Sequence, residues 1–214
     1  MRVKDVMTRN PVYISPDASV VEAKALMTKQ KISKLPVLDN EKRLVGIITK
    51  NDLNRAGPSA ATTLDMYEIG YLLSKLTVAK VMHKEVITVS EDEVIEEAAR
   101  IMVDNGVGCL PVMKDKLLVG IITASDLFNA LIDLFGARQK GVRATFLVDD
   151  VPGKLAKMTQ GIADLGGNIV SLITWDGDDP AHKRITVKAT GITVAQMESL
   201  SAPISGDLRN IREL

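Results

Sequence analysis

The sequence predicts an α+β protein in which two related β-α-β-β-α units precede a smaller domain with a different pattern. The first observation is an internal repeat: the pattern at 6–37 recurs at 81–112, and that at 44–53 recurs at 118–127. The second is that the repeat ends near Leu134, which leaves 135–214 for another domain. Each copy is too short to bury a generous core alone. The copies are therefore expected to pack as a pseudo-twofold pair with any ligand in their seam.

Both copies predict the same order of elements. A short extended piece leads into a helix, and in the first copy Ser19 and Glu22 stand at the spacing of a capping box. Two strands joined by a polar turn follow, and a second helix begins after Thr49 and after Thr123. The predicted strands are 12–14, 34–38 and 44–48 in the first copy and 86–89, 109–113 and 117–122 in the second.

The rest of the chain does not share this repeat. Residues 56–61 predict a loop, 64–76 an additional helix and 136–141 a linker. Beyond the linker the predicted order is βαββαβ, the ferredoxin-like arrangement, with elements at 143–148, 154–165, 168–175, 184–189, 194–200 and 208–212. The predicted divisions are a first unit at 1–56, a loop and helix at 57–76, a second unit at 77–134, a linker at 135–141 and a last domain at 142–214.

Composition excludes several classes of partner. Lys+Arg and Asp+Glu both number 27, so the chain lacks the net positive charge that binds nucleic acid, and only 3% of residues are aromatic. The single cysteine, Cys109, excludes an internal disulfide and fits a reducing compartment. No apolar run approaches the roughly 20 residues that span a bilayer, and no secretion signal is recognisable. These features predict a soluble cytoplasmic protein.

A string of sequence shared by both copies carries a family resemblance. Gly-Ile-Ile-Thr-x-x-Asp, at 46–52 and again at 120–126, ends a strand and opens a helix. With the other matched positions, residues 1–134 resemble tandem CBS domains, a Bateman module, and 142–214 resemble an ACT domain through 150–155 and 166–169. The combination resembles bacterial acetoin-utilisation-type regulatory proteins. The resemblance implies a non-catalytic sensor in which an adenine nucleotide (AMP, ADP, ATP or S-adenosylmethionine) acts on the ACT part or a protein partner.

The repeated threonine and aspartate suit a nucleotide. A threonine hydroxyl at a helix start can donate to phosphate, and an aspartate one turn later can accept from ribose hydroxyls. The resemblance implies that adenine lies against the neighbouring strands. The expected nucleotide-binding residues are Thr49, Asp52, Thr123, Asp126, Ile32, Ser33, Lys34, Pro36, Val107, Cys109 and Pro111.

The same spacing also describes a plain helix cap that needs no ligand. Its recurrence in both copies favours the ligand. The copies are not equivalent, because Cys109 replaces Lys34. We expect the cleft that includes Lys34 to prefer the more phosphorylated nucleotide.

The ACT-like domain offers an alternative function. Gly153, in the turn before a helix, lets backbone N–H groups approach a carboxylate, and Asp150, Asn168 and Ile169 are the other expected contacts of an amino acid. The resemblance implies that such sites lie between paired subunits. The chain would then be an amino-acid sensor with the CBS pair as a dimerisation scaffold. A simpler interpretation is that Pro152 and Gly153 form only a turn, with Asp150 as a cap.

No catalytic or metal-binding pattern accompanies these motifs. His83 and His182 fall in different predicted domains, and neither has an acid or thiol partner at a recognisable spacing. Cys109 lies in an apolar strand, which favours a buried structural thiol. Nucleotide-binding glycine loops and metal-ligand spacings are missing as well. We expect no enzyme activity, no required cofactor and no metal, and an assembly that is a homodimer or larger.

Overall fold

The computed structural model describes residues 1–56 and 65–214 and divides into two compact units, Met1–Leu127 and Phe128–Leu214. Both predicted repeats lie in the first unit, apart from the end of the second copy. The loop predicted at 56–61 lies outside the described residues from 57 onward, as does the start of the helix predicted at 64–76. That helix is otherwise confirmed.

The first unit has two short helical turns, at residues 3–6 and 78–81, that the sequence does not predict, because so short an element carries no recognisable periodicity. The elements, in order, are α1 (Val3–Val6), β1 (Thr8–Arg9), α2 (Val20–Gln30), β2 (Lys34–Leu38), β3 (Leu44–Thr49), α3 (Lys50–Arg55), α4 (Met66–Lys75), α5 (Val78–Val81), β4 (Val89–Ser90), α6 (Ile95–Asp104), β5 (Cys109–Lys114), β6 (Leu117–Thr123) and α7 (Ala124–Leu134), whose end belongs to the second unit.

The extended pieces predicted at the start of each copy are shorter than expected. At 12–14 only Ile14 pairs, in an isolated parallel bridge with Val37. At 86–89 only the last residue enters a strand, β4, which pairs in parallel with β5. Val12, Tyr13 and Ile87 are exposed, whereas Ile14 and Val89, which do pair, are buried. The strand predictions were therefore wrong over most of their length.

Each copy is built around an antiparallel hairpin. β2 pairs with β3 in the first copy, and β5 pairs with β6 in the second. The second hairpin is extended by β1 and β4 into a four-stranded sheet of order β1-β6-β5-β4. The side chains of Leu35 and Ile48, and those of their counterparts Leu110 and Ile122, are fully buried in two separate cores. The runs of apolar residues thus predict both hairpins.

The segments that lead into the two copies are exchanged. Val3, in α1, belongs to the core of the second copy, and its N–H donates to the carbonyl of Glu93 at 2.8 Å. Val78, in α5, belongs to the core of the first copy, and its N–H donates to the carbonyl of Ala18 at 2.8 Å. Each copy therefore completes the core of the other, which makes the pair a single folding unit.

The second unit confirms the βαββαβ order. Its sheet is antiparallel throughout, and the spatial order of its strands is β10 (Asp207–Glu213), β7 (Val142–Asp149), β9 (His182–Thr190) and β8 (Asn168–Asp176). Phe146 of the sheet shares one core with Met158 and Met197 of the helices. A short helical turn, α10, is the one addition to the predicted order. The elements are β7 (Val142–Asp149), α8 (Lys154–Asp164), β8 (Asn168–Asp176), β9 (His182–Thr190), α9 (Val194–Ser199), α10 (Ser201–Ile204) and β10 (Asp207–Glu213).

The described residues hold neither a membrane-spanning helix nor a cluster of metal ligands. Among the helices at 1–56 and 65–214, none is long and apolar enough to cross a membrane. In the same part of the chain, no three His, Cys, Asp or Glu side chains are grouped so that they could hold a metal ion.

Candidate functional site

The exchanged segments place each repeated threonine beside the other copy. Thr8 pairs with Ile121, just before Thr123, and His83 pairs with Ile47, just before Thr49. Thr8 and His83 occupy equivalent positions of the repeat. Two related sites are therefore formed, each from a threonine of one copy and the leading segment of the other.

Thr49 and Asp52 form a complete capping box at the start of α3. The N–H and hydroxyl of Thr49 donate to Asp52 Oδ2 at 2.8 and 2.7 Å, and the N–H of Asp52 donates to Thr49 Oγ1 at 3.3 Å. Asp52 is only 8% exposed. Burial acts to raise the pKa of the Asp52 carboxyl, but the hydrogen bonds from Thr49 and His83 outweigh it and hold that pKa below its usual value. Asp52 is therefore a buried carboxylate.

Thr123 and Asp126 repeat this geometry at the start of α7. The N–H and hydroxyl of Thr123 donate to Asp126 Oδ2 at 2.8 and 2.7 Å, and the N–H of Asp126 donates to Thr123 Oγ1 at 3.4 Å. The helix-cap interpretation of the spacing thus describes local geometry in both copies. It leaves open what the threonine faces, since both threonines line a cavity.

His83 distinguishes the two sites. Its Nε2 lies 3.0 Å from Asp52 Oδ1, and its side chain is 60% exposed. The two residues are far apart in the chain, so no local pattern records their contact. At the equivalent position of the repeat stands Thr8, which has no imidazole to offer Asp126.

Spacing in the sequence indicated no acidic partner for either histidine, but the structure gives one to each. Besides the pair of His83 with Asp52, His182 Nδ1 lies 2.7 Å from Asp179 Oδ1. The hydrogen bond to Asp179 raises the pKa of His182. His182 belongs to the second unit and lies outside the linings of the cavities described next.

The first cavity, which we call the lysine cavity, has a volume of about 610 Å³. It combines apolar side chains from the first copy with hydroxyl and amide groups and with Thr123 of the second copy. Its lining residues are Thr8, Asn10, Pro11, Val12, Lys24, Met27, Thr28, Lys31, Ile32, Ser33, Lys34, Lys50, Leu53, Asn54, Ile121 and Thr123.

The second cavity, which we call the histidine cavity, has a volume of about 590 Å³. It contains His83 and the segment 106–109 of the second copy together with Thr49 of the first. Its lining residues are Ser33, Lys34, Ile47, Thr49, Lys50, Asn51, His83, Glu85, Val86, Ile87, Gly106, Val107, Gly108, Cys109 and Pro111. Both volumes fall in the range of small-molecule sites.

Most of the expected nucleotide-binding residues lie at these cavities. The structure brings together at the two cavities Thr49, Thr123, Ile32, Ser33, Lys34, Val107, Cys109 and Pro111. Three of the expected residues are absent from the described linings: Pro36, which is buried in β2, and Asp52 and Asp126, each of which is hydrogen-bonded to its threonine. Each of these aspartates accepts hydrogen bonds from the threonine that lines a cavity.

Lys34 lines both cavities, and its Nζ donates to the carbonyl of Gly108 at 3.1 Å. The expectation that Lys34 belongs to one cleft is therefore wrong. Cys109 is buried, as predicted, and this burial raises the pKa of its thiol even though Lys34 acts in the opposite direction. A thiol rather than a thiolate lines the histidine cavity.

Sequence reasoning missed several lining residues. Thr8 and His83 could have been found from the register of the repeat, but only if the exchange of leading segments had been known. Lys24 and Lys31 lie on and just after α2 with no distinguishing local pattern. Whether these two lysines line the cavity depends on which face of α2 is turned toward the seam between the copies.

The second unit contains a smaller cavity of about 380 Å³, lined by residues 148–155 with Thr174, Lys183 and Ile185. Asp150 and Gly153 lie here, and Gly153 adopts φ 92°, a conformation that favours glycine. Lys154 Nζ lies 3.1 Å from Asp149 Oδ2 and 2.8 Å from the carbonyl of Ile204.

The other two expected contacts of an amino acid lie elsewhere. Asn168 and Ile169 begin β8, whereas Thr174, which lines the cavity, stands near the end of that strand. At about 3.4 Å per residue, Asn168 is about 20 Å along the strand from the cavity. One chain therefore does not bring all four residues together, and a site that uses them all would need a second subunit.

Solved structures of CBS proteins resemble the first unit. A putative acetoin utilization protein (AcuB) from Vibrio cholerae is 33% identical and has a TM-score of 0.54, with 64% of this chain and 95% of that chain covered. The CBS domain pair of protein MJ0100, in complex with 5'-methylthioadenosine and S-adenosyl-L-methionine, is 30% identical with a TM-score of 0.52, covering 65% and 98%. CBSX2 in complex with AMP is 29% identical with a TM-score of 0.51, covering 64% and 98%.

Some curated relatives are much longer enzymes. The match to L-aspartate semialdehyde sulfurtransferase of Methanocaldococcus jannaschii, at 30% identity, covers 64% of this chain and 24% of that protein. The match to inosine-5'-monophosphate dehydrogenase of the same organism, at 35% identity, covers 60% of this chain and 24% of that protein. The shared part is thus a module found beside different activities.

Family models match most of the chain. The CBS domain model matches residues 3–59 and 78–133, which coincide with the repeated copies, and the TTHA0829-like ACT domain model matches residues 140–201, from β7 to α9. Because both copies match and together make up more than half of the 214 residues, the chain belongs to the CBS domain family, with tandem CBS domains followed by a TTHA0829-like ACT domain.

Proposed function

We propose that the protein is a non-catalytic regulator that binds adenine nucleotides or related adenosine compounds in the two cavities between its CBS copies. The observation that carries this proposal is the repetition of one site: both cavities combine a threonine with an apolar segment at equivalent positions of the repeat. If the threonine and aspartate served only to cap a helix, there would be no reason for each threonine to line a cavity. The bound adenosine compounds in the similar MJ0100 and CBSX2 structures support the ligand class.

The residues offer a group for each part of the ligand. Val86, Ile87 and Val107 in the histidine cavity, and Val12 and Ile32 in the lysine cavity, present apolar surface against which a purine would lose water. These segments also carry backbone N–H and C=O groups for the edge of the base. Sites of this kind combine apolar walls with a few polar groups that orient the ligand.

The capping boxes supply the polar groups. Because each threonine hydroxyl already donates to its aspartate, a bound phosphate would compete for that proton, whereas the aspartate keeps acceptor capacity for a ribose hydroxyl. His83 already contacts Asp52 Oδ1, so a ribose hydroxyl that binds this oxygen would have to displace or share the contact with the imidazole. The two sites therefore share a scaffold and differ in detail.

Calorimetry and thermal melts with AMP, ADP, ATP, S-adenosylmethionine and 5'-methylthioadenosine test this proposal. We expect saturable binding of at least one compound, and a rise in melting temperature that grows with its concentration. Thr49→Val and Thr123→Val each keep the side-chain shape and remove a hydroxyl, so each should weaken binding at one cavity. No binding of any adenine compound would contradict the proposal.

A second candidate function is amino-acid sensing by the ACT unit. The cavity beside Gly153 supports it, since its lining includes Lys154 and Lys183, which suit a carboxylate, and Asp150, which suits an amino group. The same melts with the twenty amino acids separate the candidates. Stabilisation by an amino acid and by no adenine compound would favour this alternative.

Under either candidate we propose a cytoplasmic homodimer or larger assembly that transmits ligand binding to a protein partner.

A further inference from the structure

The two cavities differ in charge although the repeat relates their walls. The lysine cavity is lined by four lysines and, among its described residues, by no carboxylate: Lys24, Lys31, Lys34 and Lys50. The histidine cavity has only Lys34 and Lys50 of these, and Glu85 adds a negative charge. The positive charge is therefore concentrated on one side of the seam.

The repeat shows that this difference is specific to the first copy. All four lysines belong to that copy, and every equivalent position of the second copy is uncharged. The equivalents are Ala99 for Lys24, Gly106 for Lys31, Cys109 for Lys34 and Ala124 for Lys50. The four lysines therefore belong to the first copy and not to the repeat as such.

The lysines are also available to a ligand. In the part of the chain that the structure describes, no carboxylate lies within ion-pair distance of any of the four ammonium groups. Lys24, Lys31 and Lys50 are exposed, and Lys34 is half-buried with its Nζ on the Gly108 carbonyl. Four like charges around one cavity repel each other, and an anion with several charges would relieve that repulsion.

We propose that the lysine cavity selects a polyphosphorylated adenine nucleotide, a di- or triphosphate, and that the histidine cavity takes an adenosine compound with one phosphate or none. This inference rests on the proposed function and adds the division of ligands between the sites. Lys24 and Lys31, which line only the lysine cavity, are the specificity-determining residues. Lysine ammonium groups bind phosphate as point charges, so the preference follows the number of phosphates.

The double variant Lys24→Ala/Lys31→Gly tests the proposal, because it installs the residues of the second copy. Neither change should impair folding. Lys24 lies exposed on α2, where alanine is the best helix former, and Lys31 has φ 55°, where glycine is favoured. The matched control is Lys29→Ala/Lys157→Ala, which removes one lysine from the same helix and one exposed lysine from α8, both outside the cavity linings.

Calorimetry of the parent and both variants with ATP, ADP, AMP and adenosine gives the readout. We expect the test variant to lose ATP affinity by about tenfold or more, to bind AMP within about threefold of the parent, and to melt at or above the parent temperature. The control should bind all four compounds like the parent. Raising the salt concentration from about 0.01 M to about 0.15 M should weaken the binding of ATP more than the binding of AMP.

Three results would overturn the proposal. If the parent binds adenine compounds but the test variant binds ATP as tightly as the control does, the lysines do not select the ligand, and only the division of ligands fails. Equal losses for ATP and AMP in the test variant would likewise contradict selection by phosphate number. If no adenine compound binds the parent, the proposed function fails as well.

Discussion

His83 Nε2 lies 3.0 Å from Asp52 Oδ1, and this contact joins the leading segment of the second CBS copy to the capping box of the first. Asp52 Oδ2 is occupied by the N–H and hydroxyl of Thr49, so the carboxylate receives donors from both copies. The contact links a helix cap, an exchanged segment and a cavity wall. It has no counterpart at Asp126, because Thr8 stands at the position equivalent to His83.

The depressed pKa of Asp52 predicts an acid-sensitive first unit. Burial opposes the depression, but the hydrogen bonds from Thr49 and His83 outweigh it. A carboxylate whose folded pKa is lowered contributes stability above its unfolded pKa and loses it as the pH falls through the folded pKa. We expect the melting temperature to fall as the pH is lowered below about 4. The fall should be smaller in Asp52→Asn. His83→Ala, which removes one donor, should be intermediate. Identical acid profiles for all three proteins would contradict this assignment.

Asp52→Ala and Asp126→Ala distinguish a ligand-orienting role from capping alone. Loss of a cap costs about 1 kcal/mol of unfolding free energy. If the aspartate also serves the ligand, affinity should fall by about tenfold or more at one cavity. The matched control is Glu22→Ala, since Glu22 completes the capping box of α2 and lies outside both cavity linings. We expect Glu22→Ala to melt lower and bind normally. Normal binding by the two aspartate variants would leave capping as their role.

Gly46 and Gly120 test the exchange of the leading segments. A Cβ at Gly46 would overlap Met82 Sδ and lie 3.1 Å from the carbonyl oxygen of His83, and a Cβ at Gly120 would meet Met7 and Thr8 in the same way. Gly46→Ala and Gly120→Ala should each lower the unfolding free energy by about 1–3 kcal/mol in denaturant titrations. Gly46→Ala combined with Met82→Ala should cost less than the sum of the two single changes. Strict additivity would contradict the contact.

The buried side chain of Lys188 stabilises the ACT unit through hydrogen bonds to backbone carbonyl groups. It is 1% exposed, and its Nζ donates to the carbonyl of Gly136 at 2.9 Å and to that of Gln139. Lys188→Met keeps the length of the side chain but leaves buried acceptors without donors, so the unit should lose about 1–3 kcal/mol of unfolding free energy. Lys157→Met, at an exposed helical position, is the control and should change stability by less than about 0.5 kcal/mol. If Lys188→Met were as stable as the parent, the stabilising role of these hydrogen bonds would be refuted.

Edge strands of the ACT sheet predict self-association. β8 and β10 are the terminal strands in the order β10-β7-β9-β8, so within the described residues each presents an unpaired row of backbone groups. Exposed apolar side chains of the second unit, such as Phe128 and Leu131, also favour a covered surface. Sedimentation equilibrium at micromolar concentration should give at least twice the 23.2 kDa of one chain. A monomer across that range would contradict this prediction.

Local patterns in the sequence determined the elements and much of the candidate site. The boxes at Ser19–Glu22 and Thr49–Asp52 use hydrogen bonds between residues one helical turn apart, so spacing alone predicts them. The hairpins follow from their apolar runs and polar turns, and the seam follows from the repeat. Threonines and strand segments are therefore expected where the cavities are found.

Only the tertiary structure decided which copy each leading segment completes. Val3 and Val78 enter cores of nearly the same composition, so local sequence does not choose between a copy's own core and its neighbour's. Once exchanged, the segments bring His83 to Asp52 and Thr8 to the lysine cavity. Contacts between residues far apart in sequence depend on burial shared by the whole unit, which no local pattern records.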